Sequence, residues 1–269
     1  MGRGEIKLRK LIVLSVMLLS LLVVTGCNKS VINTWEKIEE RGYMIVGLDD
    51  TFAPMGFRDN GGNLVGFDVD LAKEVGLRLG VEVRFQPIDW DAKVLELNSG
   101  TIDMIWNGLT ITESRLEEMI FSNPYIANTQ MVMVKSDSSI DLISDLTGKK
   151  LGVQISSAAQ EAVDANAIVN NLGEYLKYDQ YNQALLELKN GTIDAVVIDE
   201  IMGRYIISQS VGDYKVASEN FGSETYGVGF RLESDSIRDQ INQVLAEMIL
   251  DGTAAEISIK WFNEDIFLG

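Results

Sequence analysis

A seven-residue segment that occurs twice constrains the fold of this chain more than any other feature. Residues 97–103 read Leu-Asn-Ser-Gly-Thr-Ile-Asp and residues 188–194 read Leu-Lys-Asn-Gly-Thr-Ile-Asp, so most positions match. Each copy ends an amphipathic stretch with a glycine suited to a helix C-terminus, and each precedes a short apolar run. Chance similarity between two helix–strand turns is the alternative. The repeat predicts two similar α/β lobes rather than one continuous sheet.

Strand-like and helix-like segments alternate along the rest of the chain. Met44–Leu48 predicts a buried strand, and apolar residues at helical spacing predict a helix that stops at Gly80. Ile237–Leu250 predicts a long helix near the C-terminus. Two extended segments, Gln130–Val134 and Gly227–Phe230, are interpreted as crossings between the lobes. Because this alternation favours mostly parallel sheets, we expect each lobe to be such a sheet flanked by helices.

The two crossings predict a domain organisation in which the chain leaves one lobe and returns to it. We expect residues 35–129 plus 226–269 to form the first lobe and residues 130–225 to form the second. In parallel sheets, ligands bind at the carboxyl ends of the strands. Two such lobes that face each other therefore predict a ligand cleft between those ends.

The N-terminus has the pattern of an exported lipoprotein. Four basic residues among the first ten precede an almost wholly apolar run, Leu11–Val24, whose length is short for a spanning helix and suits a signal peptide. Small residues then lead to Cys27. We predict a lipoprotein signal peptide at residues 1–26, lipidation such as palmitate on Cys27, and a lipid-anchored tether at residues 27–34. An uncleaved anchor with an incidental cysteine is the alternative.

Composition excludes several classes of function. The chain has no histidine and one cysteine, which removes Ser-His and Cys-His catalysis, the common zinc ligand sets and any intrachain disulfide. Its net charge of −17 argues against nucleic acid or anionic lipid headgroups as partners. We therefore expect no catalytic residue, no metal and no cofactor.

The loop after the apolar run Ile102–Trp106 is the first candidate binding element. It begins with Asn107 and Gly108 and continues to Thr112, a candidate helix N-cap. Arg115 would project from the first helical turn, near the exposed N–H groups of the loop. Because arginine pairs bidentately with a carboxylate, the loop predicts a clamp for a small acid. A strand–turn–helix unit with a surface arginine is the alternative.

Other polar and aromatic residues follow predicted strands in the same way. Parallel strands bring these positions to one edge of each sheet, and a helix N-terminus in the second lobe would favour an anion. Together they supply one cation, two carboxylates and two aromatic rings. The candidate ligand-binding residues are Asp49, Phe52, Trp90, Asn107, Gly108, Thr110, Arg115, Gln154, Ser157, Ala158 and Asp199.

A zwitterionic amino acid requires an anion-binding group and a cation-binding group a few ångströms apart. We expect Arg115, with Thr110 and the N–H groups of the 107–110 loop and of Ser157, to bind the carboxylate. We expect Asp199, helped by the carbonyl of Gly108 and the hydroxyl of Thr110, to bind the ammonium. The sequence therefore predicts a site for an amino acid that spans the two lobes.

Two motifs resemble those of a known family. Residues 66–79 begin with Gly-Phe-Asp-Val-Asp-Leu, and residues 108–115 have the pattern Gly-x-Thr-x-Thr-x-x-Arg. Both are typical of the family 3 solute-binding proteins of ABC importers, which include glutamine- and lysine/arginine/ornithine-binding proteins. The resemblance extends over about residues 43–262. It implies a two-lobed, type II periplasmic-binding-protein-like fold.

The same resemblance implies roles for individual residues. Positions that match Arg115, Thr110, Gly108, Ser157 and Asp199 hold the α-carboxylate and α-ammonium in the family. Those that match Asp49, Phe52, Trp90 and Gln154 surround the ligand side chain. A carboxylate and two aromatic rings suit arginine, lysine or glutamine, and none of these four positions supplies the cation that glutamate would require. Trp106 and Asn107 depart from the family pattern, and Asn107 is expected to narrow the pocket or to bond to the ligand.

Three classes of function are candidates for this chain. The first is an extracytoplasmic, membrane-anchored monomer that binds an amino acid and delivers it to an ABC transporter permease. The second is a dehydratase-like enzyme that acts on a small carboxylic acid on the same fold, for which Asp49 would be the candidate acid or base. The third is a signalling ectodomain, which lacks support because no kinase segment follows. The lipid anchor favours the importer hypothesis.

Overall fold

The computed structural model describes residues 35–268, which form two five-stranded sheets and one small three-stranded sheet. The first sheet contains β1 (Tyr43–Leu48), β5 (Glu82–Pro87), β6 (Met104–Ile105), β7 (Met119–Phe121) and β13 (Gly229–Arg231). The second sheet contains β8 (Ile126–Lys135), β9 (Lys150–Gln154), β10 (Glu174–Tyr178), β11 (Ala195–Asp199) and β12 (Tyr214–Tyr226). The small sheet contains β2 (Thr51–Phe52), β3 (Gly56–Arg58) and β4 (Leu64–Val65).

Helices pack on the two large sheets. The α-helices of the described residues are α1 (Trp35–Arg41), α2 (Phe67–Leu79), α3 (Lys93–Ser99), α4 (Glu113–Leu116), α5 (Ala158–Asp164), α6 (Tyr181–Asn190), α7 (Glu200–Gln209), α8 (Asp235–Asp251) and α9 (Thr253–Phe262). Short 3-10 helices span Trp90–Ala92, Ile143–Leu146 and Ala167–Asn171. For example, α2 contacts β5, and α6 contacts β9 and β11.

The two large sheets share one topology. The spatial order is β5-β1-β6-β13-β7 in the first and β10-β9-β11-β8-β12 in the second. β13 runs antiparallel to both of its neighbours, as β8 does in the second sheet, whereas the remaining strands of each sheet share one direction. The predicted two-lobed α/β fold with mostly parallel sheets is confirmed.

The two copies of the sequence repeat occupy equivalent places. Gly100 and Gly191 end α3 and α6 with left-handed φ angles of 83° and 76°, which favour glycine. The carboxylate of Asp103 accepts a backbone N–H of β1 at 2.7 Å, and that of Asp194 accepts one of β9 at 2.8 Å. The repeat therefore encodes the same helix end and the same strand link in both sheets.

The chain crosses between the sheets twice. It leaves the first sheet after Phe121 and returns to it at Gly229. The segment Gln130–Val134 lies wholly inside β8, so its interpretation as a crossing is wrong. β8 starts earlier because it pairs with β12 as far as the Ile126–Tyr226 pair. The predicted lobes, 35–129 plus 226–269 and 130–225, stay a prediction.

The C-terminal region contains more helix than predicted. The helix expected at Ile237–Leu250 spans Asp235–Asp251, and its apolar residues are buried. Gly252, with a φ of 88°, ends this helix, and Thr253–Phe262 forms a further helix that the sequence analysis did not predict.

Predictions for the N-terminus concern the signal peptide, Cys27 and the 27–34 tether, and they lie outside the described residues. Within residues 35–268, none of the helices combines the length and the apolar character that crossing a membrane requires.

Candidate functional site

Polar residues of both sheets meet where the parallel strands end. Asp49 follows β1, and Gln154 and Asp199 are the last residues of β9 and β11. The amide nitrogen of Gln154 donates a hydrogen bond to the Asp49 carboxylate at 2.9 Å, which joins the second sheet to the first. Strand topology therefore brings these predicted residues to one cleft, as expected for carboxyl ends of parallel strands.

Arg115 is held at the cleft by its own loop. Thr112 accepts the Arg115 N–H at 3.3 Å, which confirms Thr112 as the N-cap of α4. The guanidinium is buried, and it donates to the carbonyl of Thr110 at 2.8 Å and to that of Ser156 at 3.2 Å. The carboxylate of Glu161 lies 3.9 Å from its Nε atom. Burial lowers the pKa of Arg115, and an arginine in a protein nevertheless keeps its charge.

Gly108 shapes the same loop. Its φ is 58°, and a side-chain carbon there would lie 2.9 Å from the ring of Phe52, so only glycine fits without displacement. Its N–H donates to the buried carboxylate of Asp68 at 2.7 Å. That N–H, which the sequence analysis assigned to the ligand carboxylate, is therefore already engaged. Burial raises the pKa of Asp68 to about 7.

Asp199 is buried at the end of β11 among neutral donors. Its Oδ1 atom accepts hydrogen bonds from Asn128 at 2.8 Å, from Gln130 at 3.1 Å and from the Tyr226 hydroxyl at 2.7 Å. Burial, and then the neighbouring Glu224 carboxylate, raise the pKa of Asp199 to about 7. The arrangement provides hydrogen bonds to the carboxylate without a neutralising cation bonded to it.

The residues around Asp199 were not predicted from the sequence. Asn128 and Gln130 are alternate residues on one face of β8, whose remaining buried residues are almost all apolar. Two amides at that spacing in an apolar strand are a signal that could have identified them. Glu224 accepts from the Thr110 hydroxyl at 2.7 Å, and nothing in its local sequence distinguishes it from a solvated residue.

The other end of the cleft contains Asp49 and the aromatic residues. Oδ1 of Asp49 accepts the N–H of Thr51 at 2.9 Å and its hydroxyl at 2.6 Å, and burial raises the pKa of Asp49. The ring of Phe52 lies 6.0 Å from that of Tyr181, a residue of the second sheet's α6. Trp90 is buried at the start of the 3-10 helix. The predicted carboxylate and aromatic rings are thus all located around the cleft.

Lys93 is a second cation that the sequence analysis did not identify. It is buried, and Nζ donates to the carbonyl of Trp90 at 3.0 Å and to that of Ser156 at 2.8 Å. The nitrogen lies 5.1 Å from the centre of the Trp90 ring. Burial, and then Arg115, lower the pKa of Lys93 to about 7. A titratable amine therefore lies beside the Trp90 ring and shares an acceptor, the Ser156 carbonyl, with Arg115.

The remaining predicted residues have structural partners of their own. Ser157 caps α5: its hydroxyl accepts the N–H of Gln160 at 3.1 Å and donates to the Gln154 carbonyl at 2.7 Å. Ala158 is the first residue of that helix. The Asn107 side-chain oxygen accepts the N–H of Asp49 at 3.1 Å, and its nitrogen lacks a hydrogen-bond partner among the described residues. Their contacts with a ligand stay predictions.

Trp106 is buried in the core beside Tyr125, and the centres of the two rings are 6.4 Å apart. Among residues 35–268, no three acidic or cysteine side chains converge in an arrangement that could hold a metal ion.

Comparison with known proteins identifies the family. Residues 44–264 match the model of the bacterial extracellular solute-binding proteins, family 3. The L-cystine-binding protein TcyJ of Escherichia coli K12 is 32% identical over 232 residues, which cover 86% of each chain. A Streptococcus pneumoniae ABC uptake transporter substrate binding protein with bound histidine superposes with a TM-score of 0.85 at 38% identity, covering 87% of this chain and 98% of that one.

A third relative is an ancestral arginine-binding protein bound to glutamine. It is 40% identical, has a TM-score of 0.78, and covers 83% of this chain and 99% of its own. The family model and these relatives are all described as solute- or substrate-binding proteins, and none is described as a dehydratase. The chain belongs to family 3 of the bacterial extracellular solute-binding proteins, an amino-acid-binding family of ABC importers, and is not an enzyme.

Proposed function

We propose that the protein binds a zwitterionic amino acid between its two sheets, with Arg115 on the carboxylate and Asp199 on the ammonium. The observation that carries this proposal is the pair of buried, opposite charges, Arg115 in α4 and Asp199 at the end of β11, each hydrogen-bonded to neutral groups. Burying such charges is costly unless an opposite charge arrives. A ligand with both charges neutralises both residues at once.

We further propose that the ligand side chain is that of arginine, lysine or glutamine. Asp49 supplies a carboxylate at that end of the cleft, and Phe52 and Trp90 supply aromatic faces for a cationic stem. Lys93 opposes a basic side chain less than a surface lysine would, because its pKa is about 7 and part of it is neutral near that pH. We expect glutamate and aspartate to bind about tenfold more weakly or worse, since Asp49 repels them.

Contacts between the sheets support a closed state as the delivered form. The carbonyl of Ser156 accepts from both Lys93 and Arg115, and Ser114 donates to Glu161 at 3.0 Å. A ligand that is held from both sides favours this arrangement over an open one. The proposed role of closure is to mark the loaded protein for the permease of an ABC transporter in the same membrane.

A thermal-shift screen of residues 28–269 against the common amino acids tests the ligand. A ligand present at a hundred times its Kd stabilises the folded protein by about 2.7 kcal/mol, which is about 5–10 °C for a chain of this size. We expect arginine, lysine or glutamine to give the largest shift. A larger shift with glutamate would show that the side-chain residues are wrongly assigned, and no shift with any amino acid would contradict the proposed function.

We also propose that the protein is a lipoprotein, cleaved after residue 26 and anchored through Cys27 as a monomer on the extracytoplasmic face of the cell membrane. The basic start, apolar run and single cysteine support this. Stable anchoring requires more than one acyl chain. Cys27→Ser should move the protein to the soluble fraction or leave its signal peptide uncleaved, as seen by fractionation and gel mobility. Unchanged membrane association and mobility would contradict the lipid anchor.

A further inference from the structure

Glu224 lies close to Asp199 although it comes from a different strand. The side-chain nitrogen of Asn128 is 2.8 Å from an Asp199 oxygen and 2.6 Å from a Glu224 oxygen. The side-chain nitrogen of Gln130 is 3.1 Å and 2.8 Å from the same two oxygens. Both amides thus bridge the two carboxylates, and the hydroxyl of Thr110 adds a third hydrogen bond to Glu224.

A second observation indicates that this region is built to receive a ligand. The side chain of Tyr181 is buried, with 1% of its surface exposed, and its hydroxyl lacks a hydrogen-bond partner among residues 35–268. Its polar neighbours are Asp199, the Ser157 side chain, Glu224 and Arg115, so the hydroxyl lies among the polar and charged groups of the cleft. A buried hydroxyl without a partner is costly, and a ligand polar group would satisfy it.

We propose that Glu224 is a second carboxylate of the ammonium site, and that its presence keeps a proton on Asp199 in the empty protein, which Asp199 releases when the ligand ammonium binds. This rests on the proposed function, because it assumes an amino-acid ligand. A charge on buried Asp199 is costly when a second carboxylate, that of half-buried Glu224, shares its donors. One proton relieves that repulsion in the empty protein, and one ammonium relieves it in the complex.

The charged and titratable groups around the pair are few. Arg115 faces it from the first sheet and stays charged, while Tyr226 donates to Asp199 and Tyr181 adjoins it. Burial and the neighbouring Asp199 keep the pKa of Tyr226 well above its usual range, so this tyrosine holds its proton near neutral pH. The exchangeable proton of this cluster therefore belongs to Asp199.

Two other groups of the cleft also titrate abnormally. Burial raises the pKa of Asp49 and lowers that of Lys93 to about 7, so either can add to a measured proton count. L-glutamine is the preferred probe because its side chain is uncharged and brings no counter-charge to either group. The contribution of the pair is then the difference between the wild type and Glu224→Gln.

Calorimetric titration of the mature protein with L-glutamine, in buffers of different ionisation enthalpy, counts the protons released. L-arginine is measured in parallel. We expect release of about one proton near pH 6 and much less near pH 8, with affinity falling up to about tenfold per pH unit below 7. The glutamine of Glu224→Gln keeps an oxygen that can accept from Thr110, Asn128 and Gln130. Ligand binding to this variant should release about half a proton or less near pH 6. Glu219→Gln, an exposed change on the same strand, should behave as the wild type.

A ligand analogue separates the outcomes even if Glu224→Gln fails to fold. Glutaramic acid is glutamine without its ammonium group, and we expect it to bind the wild type without proton release. Equal proton release by glutamine and glutaramic acid, or by the wild type and a folded Glu224→Gln variant, would overturn the inference. Tight glutamine or arginine binding without proton release near pH 6 would do so too. Absence of binding by any amino acid would instead contradict the proposed function itself.

Discussion

The two ends of the cleft each contain a buried charged side chain, but the groups around the two charges differ. Arg115 is buried and donates its hydrogen bonds to the backbone carbonyls of Thr110 and Ser156, with the Glu161 carboxylate 3.9 Å from Nε. Asp199 is buried against neutral donors, but a second carboxylate, Glu224, shares those donors. The anion-binding end thus has a buried arginine with Glu161 and Lys93 beside it, and the cation-binding end has two carboxylates that share donors.

This difference determines which end responds to pH. Burial lowers the pKa of Arg115, yet arginine keeps its proton throughout the physiological range. Burial and Glu224 raise the pKa of Asp199 to about 7, so its charge depends on pH in that range. We therefore expect the carboxylate end of a ligand to be held at all relevant pH values, whereas the ammonium end is held best above about pH 7.

Arg115→Ala should have the largest effect on binding. It leaves a ligand carboxylate buried without its cation, which costs about 2–5 kcal/mol or a loss of roughly 30- to 5,000-fold in affinity. Calorimetry with the best amino-acid ligand provides the measurement. Arg84→Ala, an exposed change on β5, should bind normally. Near-native affinity in a folded Arg115→Ala protein would show that the two ends do not act as a pair.

Asp199→Asn should weaken amino-acid binding by about ten- to a hundredfold near pH 8, less than the loss of Arg115, because Glu224 still faces the ammonium. The variant should bind glutaramic acid as well as the wild type does or better, since that analogue has no ammonium. Calorimetry with glutamine and glutaramic acid compares the two. An equal loss for both ligands would mean that Asp199 acts only on the fold.

Asp49→Asn should change ligand preference rather than abolish binding. We expect arginine to lose about tenfold in affinity and glutamine about threefold or less, because only arginine loses a charge partner. Competition binding of the two amino acids to the wild type and the variant measures the ratio. Equal losses would place Asp49 away from the ligand side chain and confine specificity to the two charged ends.

The smallest effect concerns the stability of the empty protein. Burial raises the pKa of Asp68 to about 7, above its unfolded value, so the stabilisation is complete at acidic pH and is lost as pH rises towards 7. The pKa of Asp199 is also raised, so its effect on the pH dependence of stability has the same sign. We expect a lower Tm near pH 8 than near pH 5, by about 2–4 °C per kcal/mol lost.

Asp68→Asn should flatten that profile, while retaining an oxygen for the Gly108 N–H. Differential scanning calorimetry across this pH range provides the comparison. An unchanged slope in the variant would assign the pH dependence to Asp199 instead, which would sharpen the contrast between the two ends of the cleft.

Local sequence patterns predicted much of this fold because helix ends and helix caps depend on residues that are close in the sequence. Gly100 and Gly191 stand at left-handed helix ends, and Thr112 caps the helix that carries Arg115, as their spacing indicates. Helix Thr253–Phe262 was missed because Gly252 was not recognised as a junction between two helices. The start of β8 was misplaced because its length depends on pairing with a strand about ninety residues away.

The sequence by itself determined the family, the two α/β lobes and one charge on each side of the cleft, since these depend on motifs and on strand ends. Only the tertiary structure showed Glu224, Lys93 and Tyr181 beside those charges. Each lies in an element whose local sequence is ordinary, and each becomes part of the cleft through pairing and packing between distant segments. The lowered pKa of Lys93, the raised pKa of Tyr181 and the unsatisfied Tyr181 hydroxyl arise from burial, which no short sequence window specifies.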